Sequence, residues 1–266
     1  MSKRKALFFD IDGTLLSEVT KTVPESAKKA ISIARSLGHL VFINTGRSYG
    51  ETEQIHNIAE ADGWLCGCGT YVESEGNILL NRLMPAAQVR RIARLAVDSD
   101  ADIFLEGPGT CYYCSASGRM PFGQQLRSNF GKLVEWIAPE AVDEEVNKFC
   151  VLTDGQSDRT GFFRNLDLDI SVIDRGDGFY ECVPEGFSKA TAIDVVLKHY
   201  GLTLEDAYVF GDSTNDIAMF EHVPNAVLMG RHSPELEPYA SFLTKTVEQD
   251  GIWYAMEKLG LLNEEV

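Results

Sequence analysis

The first forty residues carry a pattern of hydrophobic and polar positions that predicts a strand, a helix and a second strand. Residues 5–11 read KALFFDI, an apolar run that closes on the acids Asp10 and Asp12 and then Gly13. Such a run is typical of a buried parallel strand. Apolar residues then recur at helical spacing until Gly38, which predicts a helix over residues 25–37. A strand is predicted again over residues 39–43.

The same order of elements returns near the end of the chain. The pattern predicts a strand over residues 206–210, a helix from about residue 214 and a strand over residues 226–229. Strands that alternate with helices are typical of a sheet with parallel strands and helices on both faces. We therefore predict an α/β fold whose core is a doubly wound, Rossmann-like parallel sheet.

The middle of the chain follows a different pattern, which predicts an inserted α+β domain. It contains helices over residues 86–97 and 157–166, strands over residues 101–105, 110–114 and 148–152, and a hairpin over residues 169–183. We predict a catalytic core made of residues 1–83 and 185–266, and an inserted cap domain made of residues 84–184.

Composition limits the partners and the environment. The 266 residues are 44% hydrophobic, and 24 basic residues stand against 40 acidic ones for a net charge of -16. This balance argues against binding to nucleic acid or to an anionic membrane. No apolar run is long enough to span a bilayer and no signal-peptide core follows the first residues, so we expect a cytoplasmic protein, a monomer by default. The six cysteines are expected to be reduced.

The segment Asp10-Ile11-Asp12-Gly13-Thr14 ends the first predicted strand. Residues two apart on an extended chain project to the same side, so both carboxylates are expected to face one cleft. One can act as a nucleophile and the other as a proton donor to a leaving oxygen, while a divalent cation reduces their repulsion. The alternative is an ordinary acidic turn after a strand.

A second acidic segment, GDSTND over residues 211–216, follows the strand predicted over residues 206–210. Mg²⁺ prefers oxygen and takes one or two carboxylates plus substrate phosphate. Asp10, Asp212 and the main-chain carbonyl of Asp12 form such a set, with Asp216 in a supporting role or as an occasional ligand. The alternative is that Asp212 or Ser213 only caps the next helix.

Two more segments offer groups that can bind phosphate. Thr45 lies in a strand-to-helix turn that reads NTGR over residues 44–47, where a hydroxyl and exposed amides can bind phosphate oxygens. Arg47 can contact substrate or lie on the surface. Lys189 opens an amphipathic segment and could neutralise phosphate, although a single lysine is usually a solvated surface residue.

Taken in order, the segments FFDIDGT, INTGRS, VPEGFSK and VFGDSTND resemble the motifs of the haloacid dehalogenase superfamily, and more narrowly its Cof-type sugar-phosphate phosphatases. The resemblance covers most of the core. It implies a set of roles: Asp10 as nucleophile and metal ligand, Asp12 as general acid and base, Thr45 and Gly46 as phosphate cradle, Lys189 as charge neutraliser, Asp212 as metal ligand, and Asn215 on phosphate or on Lys189. Residues 246–252 resemble the C-terminal signature of the family, whose role is structural.

The position of the insert resembles one cap type of that superfamily. About thirty residues separate Asp12 from Thr45, room for one helix and one strand only, so the cap must follow Thr45. This placement resembles a C2-type cap, and its mixed helices and strands resemble the B variety. One departure is Cys68-Gly69-Thr70, where members commonly carry Asn-Gly-Ala.

We therefore expect Mg²⁺-dependent hydrolysis of a small phosphomonoester, such as a sugar phosphate, through an aspartyl-phosphate. Phosphoryl transfer, as in mutases with this cap type, and a non-catalytic ligand-binding module remain the alternatives. The spacing of Cys111 and Cys114 matches half of a zinc site, but no second pair completes it. The aromatic residues of the insert, which are Phe104, Tyr112, Tyr113 and Phe122, are expected to form its own core rather than a substrate surface.

Overall fold

The structure is a computed structural model that describes residues 4–52, 58–123, 125 and 134–263. The chain divides into two compact units. Unit 1 contains Met1–Gly46, Gln54–Leu80 and Ser188–Val266, and unit 2 contains Arg47–Glu53 and Asn81–Phe187. In the part of the chain that is described, no helix has both the length and the apolar character needed to cross a membrane.

The strands, in chain order, are β1 (Ala6–Phe9), β2 (Leu40–Asn44), β3 (Gly63–Cys66), β4 (Tyr71–Ser74), β5 (Asn77–Asn81), β6 (Asp102–Glu106), β7 (Cys111–Cys114), β8 (Val134–Trp136), β9 (Lys148–Leu152), β10 (Ile170–Asp174), β11 (Phe179–Pro184), β12 (Ala207–Gly211), β13 (Asn225–Leu228) and β14 (Phe242–Leu243). The described α-helices are α1 (Glu25–Ser36), α2 (Tyr49–Thr52), α3 (Ala86–Asp98), α4 (Arg159–Asn165), α5 (Lys189–Tyr200), α6 (Ile217–His222) and α7 (Gly251–Lys258).

Unit 1 is built on an eight-stranded sheet in the order β14-β13-β12-β1-β2-β3-β4-β5. The six strands from β14 to β3 run parallel, and β4 pairs antiparallel with β3. The chain winds outward from β1 through β2 to β3, and later from β12 through β13 to β14, so the strand order reverses between β1 and β12. In doubly wound sheets, such a reversal opens a crevice at the carboxyl ends of the two strands.

Helices pack on this sheet through the apolar positions that the sequence pattern marks. The residues of α5 that face the sheet, Ala192, Ile193, Val196 and Leu197, form one buried cluster with Phe8, Phe42 and Val209 of the central strands. Phe8 and Phe42 also stack with ring centroids 5.2 Å apart. Burial of a large apolar side chain contributes about 1.5–3 kcal/mol to the stability of the folded state. This packing therefore holds α5 in a defined position on the sheet.

Unit 2 is built on a six-stranded sheet in the order β10-β11-β9-β6-β7-β8, antiparallel except for the β7–β8 pair. The apolar face of α3 packs on one side of it, where Ile92 and Ala96 join Ile103 and Phe149 in a buried cluster. On the other side, Phe104 and Tyr113 form a second cluster, with Phe122 packed against it, while Tyr112 packs against the first. The four aromatic residues therefore pack within unit 2.

The structure differs from the sequence prediction in several elements. The first strand ends at Phe9 instead of Ile11, and the predicted helix from residue 214 begins as a 3-10 turn, Thr214–Asp216, before α6. Strands β3, β4, β5 and β8 were not predicted, because they are short or half-exposed and lack a clear alternation. The predicted domain bounds stay a prediction, and the two units divide at slightly different residues.

Candidate active site

The candidate site lies in unit 1 at the carboxyl ends of β1 and β12, where the strand order reverses. The N–H of Asp10 still donates to the carbonyl of Phe210 at 3.0 Å, as a last ladder bond between the two strands. Asp10 and Asp212 are the first residues after β1 and β12, respectively. Register thus places these two carboxylates side by side at the sheet edge.

The chain turns after Ile11, the residue between the two aspartates. The carbonyl of Ile11 accepts hydrogen bonds from the N–H groups of Thr14, Leu15 and Leu16 at 3.3, 3.0 and 2.7 Å. The expectation that the carboxylates of Asp10 and Asp12 face one cleft stays a prediction. Asp12 is half-buried within this turn. It still lies close enough to raise the pKa of Asp10 through its charge.

The next two residues of this turn, Gly13 and Thr14, lie against the side chain of Asp212. Gly13 has φ of +84°, and a Cβ there would lie 2.3 Å from Oδ2 of Asp212, so a side chain is excluded by both strain and space. Thr14 donates from Oγ1 to Oδ1 of Asp212 at 2.8 Å. The role of Thr14 was missed from sequence, because its partner is 198 residues away.

Lys189 is completely buried between two carboxylates. Its Nζ donates to Oδ1 of Asp10 and to Oδ1 of Asp216, both at 2.6 Å, and lies 3.5 Å from Oδ1 of Asn215. Lys189 is the first residue of α5, and Ser188 and Thr191 form a capping box there. The capped helix start fixes the backbone of the lysine, so the alternative of a solvated surface lysine is wrong.

Asp216 anchors the loop that carries Asp212. Its Oδ2 accepts from the N–H groups of Asp212 and Ser213 at 2.9 and 3.0 Å, while its Oδ1 accepts from Lys189. A Cβ at Gly211 would approach Oδ2 of Asp216 to 2.6 Å, which explains the glycine at the end of β12. Both oxygens of Asp216 are therefore engaged by protein donors.

Burial and the repulsion between neighbouring acids raise the pKa values of the carboxyl groups around Lys189. Burial raises the pKa of Asp10 to about 7; Lys189 opposes the rise, and Asp216 and Asp12 add to it. Burial, then Asp10 and Asp216, raise the pKa of Asp212 to about 8. Burial opposes the charge on Lys189, but its carboxylate partners hold its pKa above the usual value. Three acids thus face a single lysine.

The chemistry of this group fits a hard cation. Oxygens of Asp10, Asp212 and Asp216 all lie within 4.8 Å of one another, the one such group of metal-ligating side chains found among the described residues. Mg²⁺ takes one or two carboxylates and keeps several waters. Because Asp216 is engaged by Lys189 and two amides, Asp10 and Asp212 offer the freer oxygens.

Thr45 and Gly46 follow β2, the strand next to β1, at the same sheet edge. The N–H of Thr45 donates to the carbonyl of Leu65 at 2.8 Å, and its carbonyl accepts from the N–H of Cys68 at 3.2 Å. Both Thr45 and Gly46 are buried. Arg47 is grouped with unit 2. The structure thus places Thr45 beside the turn at residues 67–69.

That turn connects two parts of the site, and only an indirect signal for it is present in the sequence. Gly67, Cys68 and Gly69 all have positive φ, at 59°, 52° and 93°. A Cβ on Gly69 would lie 2.0 Å from the carbonyl oxygen of Ser188, so the turn packs closely on the start of α5. Cys68 is therefore an L-residue in the left-handed region, a conformation that Asn adopts more readily than most other L-residues.

Asn44 is a further contact that the sequence did not reveal. This buried residue ends β2 and donates from Nδ2 to the main-chain carbonyl of Lys189 at 3.1 Å. A polar residue at the end of an otherwise apolar strand was the available signal. Asn44 thereby ties the strand that carries Thr45 to the helix that carries Lys189.

The C-terminal signature contacts the loop that follows Asp12. Oγ of Ser17 accepts from the N–H groups of Val19 and Thr20 at 3.1 and 3.0 Å and donates to the carboxylate of Glu248. The hydrogen bond from Ser17 is the main cause that lowers the pKa of Glu248. This segment therefore supports the loop instead of contributing a group to the acidic cluster.

The cysteines form no comparable group. All six are buried and free of disulfide bonds. Cys111 and Cys114 lie on β7, and burial raises the pKa of both thiols. A buried thiol with a raised pKa is a weak nucleophile and a weak metal ligand. The half zinc site suggested by their spacing gains no support.

A family model for haloacid dehalogenase-like hydrolases matches residues 7–256. The chain belongs to this family. It is 29% identical over 268 residues to "Putative phosphatase YkrA" of Bacillus subtilis (strain 168), with 97% of this chain and 98% of the relative covered. It is 26% identical over 234 residues to the HMP-PP phosphatase of Yersinia pseudotuberculosis serotype O:1b, covering 86% and 85% of the two chains.

A solved structure with the same fold is that of BT4131, named as a HAD subclass IIB sugar phosphatase. It superimposes with a TM-score of 0.81 over 97% of this chain and 99% of the other, at 24% identity. At that identity the likeness shows the fold alone. The predicted family, the α/β fold class and the class of enzyme, a phosphatase of this family, are confirmed.

Proposed function

We propose that this phosphatase hydrolyses a small phosphomonoester with Mg²⁺, through an aspartyl-phosphate on Asp10. The observation that carries the proposal is the contact of Asp10 with the buried Lys189, at the sheet edge where Asp212 also lies. Sugar phosphates are the first substrate class to test. The resemblance of the motifs suggests this class, and a structural relative is named as a sugar phosphatase.

The first half-reaction uses Asp10 and Asp12. Lys189 holds Oδ1 of Asp10 at 2.6 Å, which leaves Oδ2 as the attacking oxygen. A bond forms between this oxygen and phosphorus while the ester bond to the leaving oxygen breaks. Asp12 donates its proton to that leaving oxygen, so that an alcohol departs. Asp12 becomes a carboxylate in the same step.

The second half-reaction restores both residues. The Asp12 carboxylate takes a proton from a water molecule, whose oxygen attacks the phosphorus of the aspartyl-phosphate. The bond between phosphorus and the Asp10 oxygen breaks, and inorganic phosphate leaves. Asp10 returns to a carboxylate and Asp12 to a carboxylic acid. An acyl phosphate hydrolyses readily, which makes a carboxylate a suitable nucleophile.

The surrounding residues would offset the negative charge of the phosphate and bind its oxygens. Lys189 would offset the negative charge of the phosphate and of Asp10, and Asn215 would hold Lys189 or meet a phosphate oxygen. Thr45 and Gly46 would bind the remaining phosphate oxygens at the end of β2. Asp216 would keep the Asp212 loop and Lys189 in place, because both of its oxygens already accept hydrogen bonds.

Asp10, Asp212 and the main-chain carbonyl of Asp12 would hold the cation. When bound, Mg²⁺ supplies positive charge that reduces the repulsion between the Asp10 carboxylate and the phosphate. The donor set is all oxygen, and burial, followed by the charges of neighbouring acids, raises the pKa values of Asp10 and Asp212. Asp216 stays a candidate ligand whose hydrogen bonds favour the supporting role.

The test is phosphate release from a generic aryl phosphate by the purified protein. We expect turnover by the wild type with Mg²⁺, none with a chelator, and none by Asp10→Asn in either condition. Asp98→Asn, which neutralises an exposed acid at the end of α3, is the matched control and should turn over like the wild type. Turnover by Asp10→Asn, or full activity in chelator, would contradict the proposal.

A panel of phosphorylated sugars, nucleotides and cofactors then tests the substrate class. We expect a sugar phosphate to give the highest kcat/KM, with inorganic phosphate as the product. Accumulation of a bisphosphate instead of inorganic phosphate would replace hydrolysis by phosphoryl transfer. A folded wild-type protein that binds a ligand of the panel and turns over none of them would favour a binding module.

A further inference from the structure

Asn44 interrupts the apolar pattern of β2, and the proposed reaction assigns it no role. The strand reads LVFIN, and all five of its residues are buried. Asn44 itself has no exposed surface. Asparagine is depleted in strands, and burial of an amide costs free energy unless the amide is hydrogen-bonded. The side chain at this position therefore requires an account beyond packing.

The side-chain amide of Asn44 is only partly paired. Its Nδ2 donates to the main-chain carbonyl of Lys189 at 3.1 Å and lies 3.6 Å from Sδ of Met219, a weak acceptor. A carbonyl can only accept, so the nitrogen of the amide, and not its oxygen, must face Lys189. Among the residues that the structure describes, no donor lies within hydrogen-bond distance of Oδ1. One half of the amide therefore makes a contact, while the other half costs free energy.

An apolar side chain of similar size would avoid this cost. Leucine would continue the apolar run of β2 and would leave no unpaired oxygen in the core. Proteins break the rules of core packing mainly at functional sites, where the loss of stability is offset elsewhere. The unpaired oxygen of Asn44 therefore points to a role in function and not to one in stability.

The contact of Asn44 falls on the residue whose side chain contacts Asp10. Strands β1 and β2 pair in parallel with Phe9 opposite Ile43, so Asp10 and Asn44 are the next residues along the two neighbouring chains. Lys189 meets both of them. Its Nζ lies 2.6 Å from Oδ1 of Asp10, and its main-chain carbonyl accepts from Asn44. Asn44 thus links the backbone of the lysine to the same sheet edge that carries its carboxylate partner.

Other contacts at the start of α5 do not replace this bond. The capping box of Ser188 and Thr191 lies within the helix and fixes its first turn, but it does not attach that turn to the sheet. The turn at residues 67–69 packs closely on Ser188, because a Cβ on Gly69 would lie 2.0 Å from its carbonyl oxygen. Close packing limits approach from one side only. The hydrogen bond from Asn44 adds a direction and a distance to it.

We propose that Asn44 is a positioning residue that sets the depth at which the ammonium of Lys189 meets Asp10. Its amide holds the first residue of α5 to β2, and this restraint keeps Nζ of Lys189 between Asp10 and Asp216. The proposal rests on the proposed function in one respect, which is that Lys189 offsets the charge of the phosphate and of Asp10. Asn44 acts through Lys189.

Asn44→Leu removes the donor and keeps a side chain of similar size. Asn225→Leu is the matched control, because Asn225 begins β13 of the same sheet and donates from Nδ2 to the main-chain carbonyl of Ala207 at 2.9 Å. It removes the same kind of hydrogen bond at the amino ends of the parallel strands. Asn44→Ala, which cannot overfill the site, is the second variant in case leucine prevents folding.

The experiment measures how fast the lysine ammonium protons exchange with water, by nitrogen NMR on protein with isotope-labelled lysine. Lys189→Met and Lys148→Met identify the two signals. Lys148 is 1% exposed and lies 2.8 Å from Glu181, so it serves as an internal reference in the same molecule. We expect exchange at Lys189 to be about fivefold or more faster in Asn44→Leu than in the wild type, with no change at Lys148. Asn225→Leu should leave both rates unchanged.

Two results would overturn the proposal. Equal exchange at Lys189 in the wild type and in Asn44→Leu would show that Asn44 does not restrain the lysine. An equal acceleration at Lys148 would show a general loosening of the protein instead of a local effect. If Asn44→Leu does not fold, the same comparison with Asn44→Ala decides.

Stability and kinetics give further readouts that separate positioning from packing. The Tm of Asn44→Leu should equal or exceed that of the wild type, because the unpaired oxygen is gone, whereas Asn225→Leu should lower it. The kcat for the aryl phosphate should fall by about tenfold in Asn44→Leu, with a smaller change in KM. A lower Tm with unchanged ammonium exchange, or an unchanged kcat, would contradict the role in positioning. Ammonium exchange needs no turnover, so failure of the proposed function leaves that test of Asn44 intact.

Discussion

Among the residues that the structure describes, each unit has one lysine that is buried between two acidic side chains, and the two lysines differ in their surroundings. Lys189 of unit 1 contacts Asp10 and Asp216, both at 2.6 Å. Lys148 of unit 2 contacts Glu106 at 3.3 Å and Glu181 at 2.8 Å. Both lysines are buried and both are paired with two acidic side chains, so these features cannot by themselves mark an active site.

The difference lies in where the acids are attached. Asp10 and Asp216 follow strand ends, and a third carboxylate, Asp212, lies close enough to share a cation. Glu106 and Glu181 belong to strands, and register pairs Glu106 directly with Lys148. Acidic residues on loops at the carboxyl ends of strands can contact a ligand. Acidic residues within strands instead contact residues of the neighbouring strands. We infer that Lys189 serves chemistry and Lys148 serves the structure of unit 2.

The strongest test of this difference is to replace each lysine with an uncharged side chain of similar length. Lys189→Met should lower kcat by about 10³-fold or more, because the substrate phosphate would then meet uncompensated carboxylates. Lys148→Met should change kcat by no more than about threefold at a temperature where it is folded. Steady-state kinetics on the aryl phosphate measures both. Equal losses would show that the two lysines are not functionally distinct.

Lys148→Met should lower the free energy of unfolding substantially, as a structural role of Lys148 implies. Removing one partner of a buried ion pair costs about 3–5 kcal/mol, because it leaves the other charges buried without compensation. Glu106 and Glu181 would both lose their contact with the lysine. Urea unfolding followed by circular dichroism gives the free energy of unfolding. A loss of less than about 1 kcal/mol would show that Lys148 contributes little to the stability of unit 2.

Mg²⁺ should stabilise the wild type and leave Asp212→Asn almost unchanged. Binding at a hundredfold excess over Kd contributes about 2.7 kcal/mol, which thermal unfolding detects as a rise in Tm. Asp98→Asn is the control and should respond like the wild type. An equal rise in Tm for Asp212→Asn would place the cation elsewhere.

The pH dependence of that effect has a defined sign. Without a cation, burial raises the pKa of Asp10 to about 7 and that of Asp212 to about 8, so both acids bind protons more tightly in the folded state than in the unfolded state. Their contribution to stability is therefore lost as pH rises through those values. Mg²⁺ must displace these protons, so its stabilising effect should grow from about pH 6 to about pH 8. A constant effect across this range would contradict the assignment.

The smallest expected effect concerns an exposed turn of unit 1. Glu75 and Gly76 connect β4 and β5 with φ of 51° and 78°, a combination that favours Asn-Gly in a two-residue hairpin. Glu75→Asn should raise the free energy of unfolding by about 0.5 kcal/mol, because asparagine tolerates positive φ. Urea unfolding would detect it. A loss of stability would show that the exposed glutamate makes a compensating contact.

The sequence indicated the parallel core and the acidic residues of the site because both depend on local signals. Apolar runs that end in acids mark the carboxyl ends of β1 and β12, and parallel pairing of these strands brings Asp10 and Asp212 together. The motif order then suggested Lys189. Its burial could not be predicted, since it depends on partners 179 and 27 residues away.

The contacts that support the site were missed for the same reason. Asn44 and Lys189 are 145 residues apart in the sequence, and Thr14 and Asp212 are 198 residues apart. A local sequence pattern therefore cannot predict either contact. The turn after Ile11, in which three amides converge on the carbonyl of that residue, was signalled only by the glycine after the second aspartate.

The measurement that tests the central claim most directly is detection of the phosphoryl group on Asp10 itself. Wild-type protein mixed with substrate and Mg²⁺ would be quenched in acid, reduced with borohydride and digested, and the peptide containing residue 10 would be identified by mass spectrometry. Reduction converts an aspartyl-phosphate to homoserine, so the account predicts homoserine at position 10 in the wild type and none in Asp10→Asn. Homoserine at another aspartate, or none during active turnover, would contradict it.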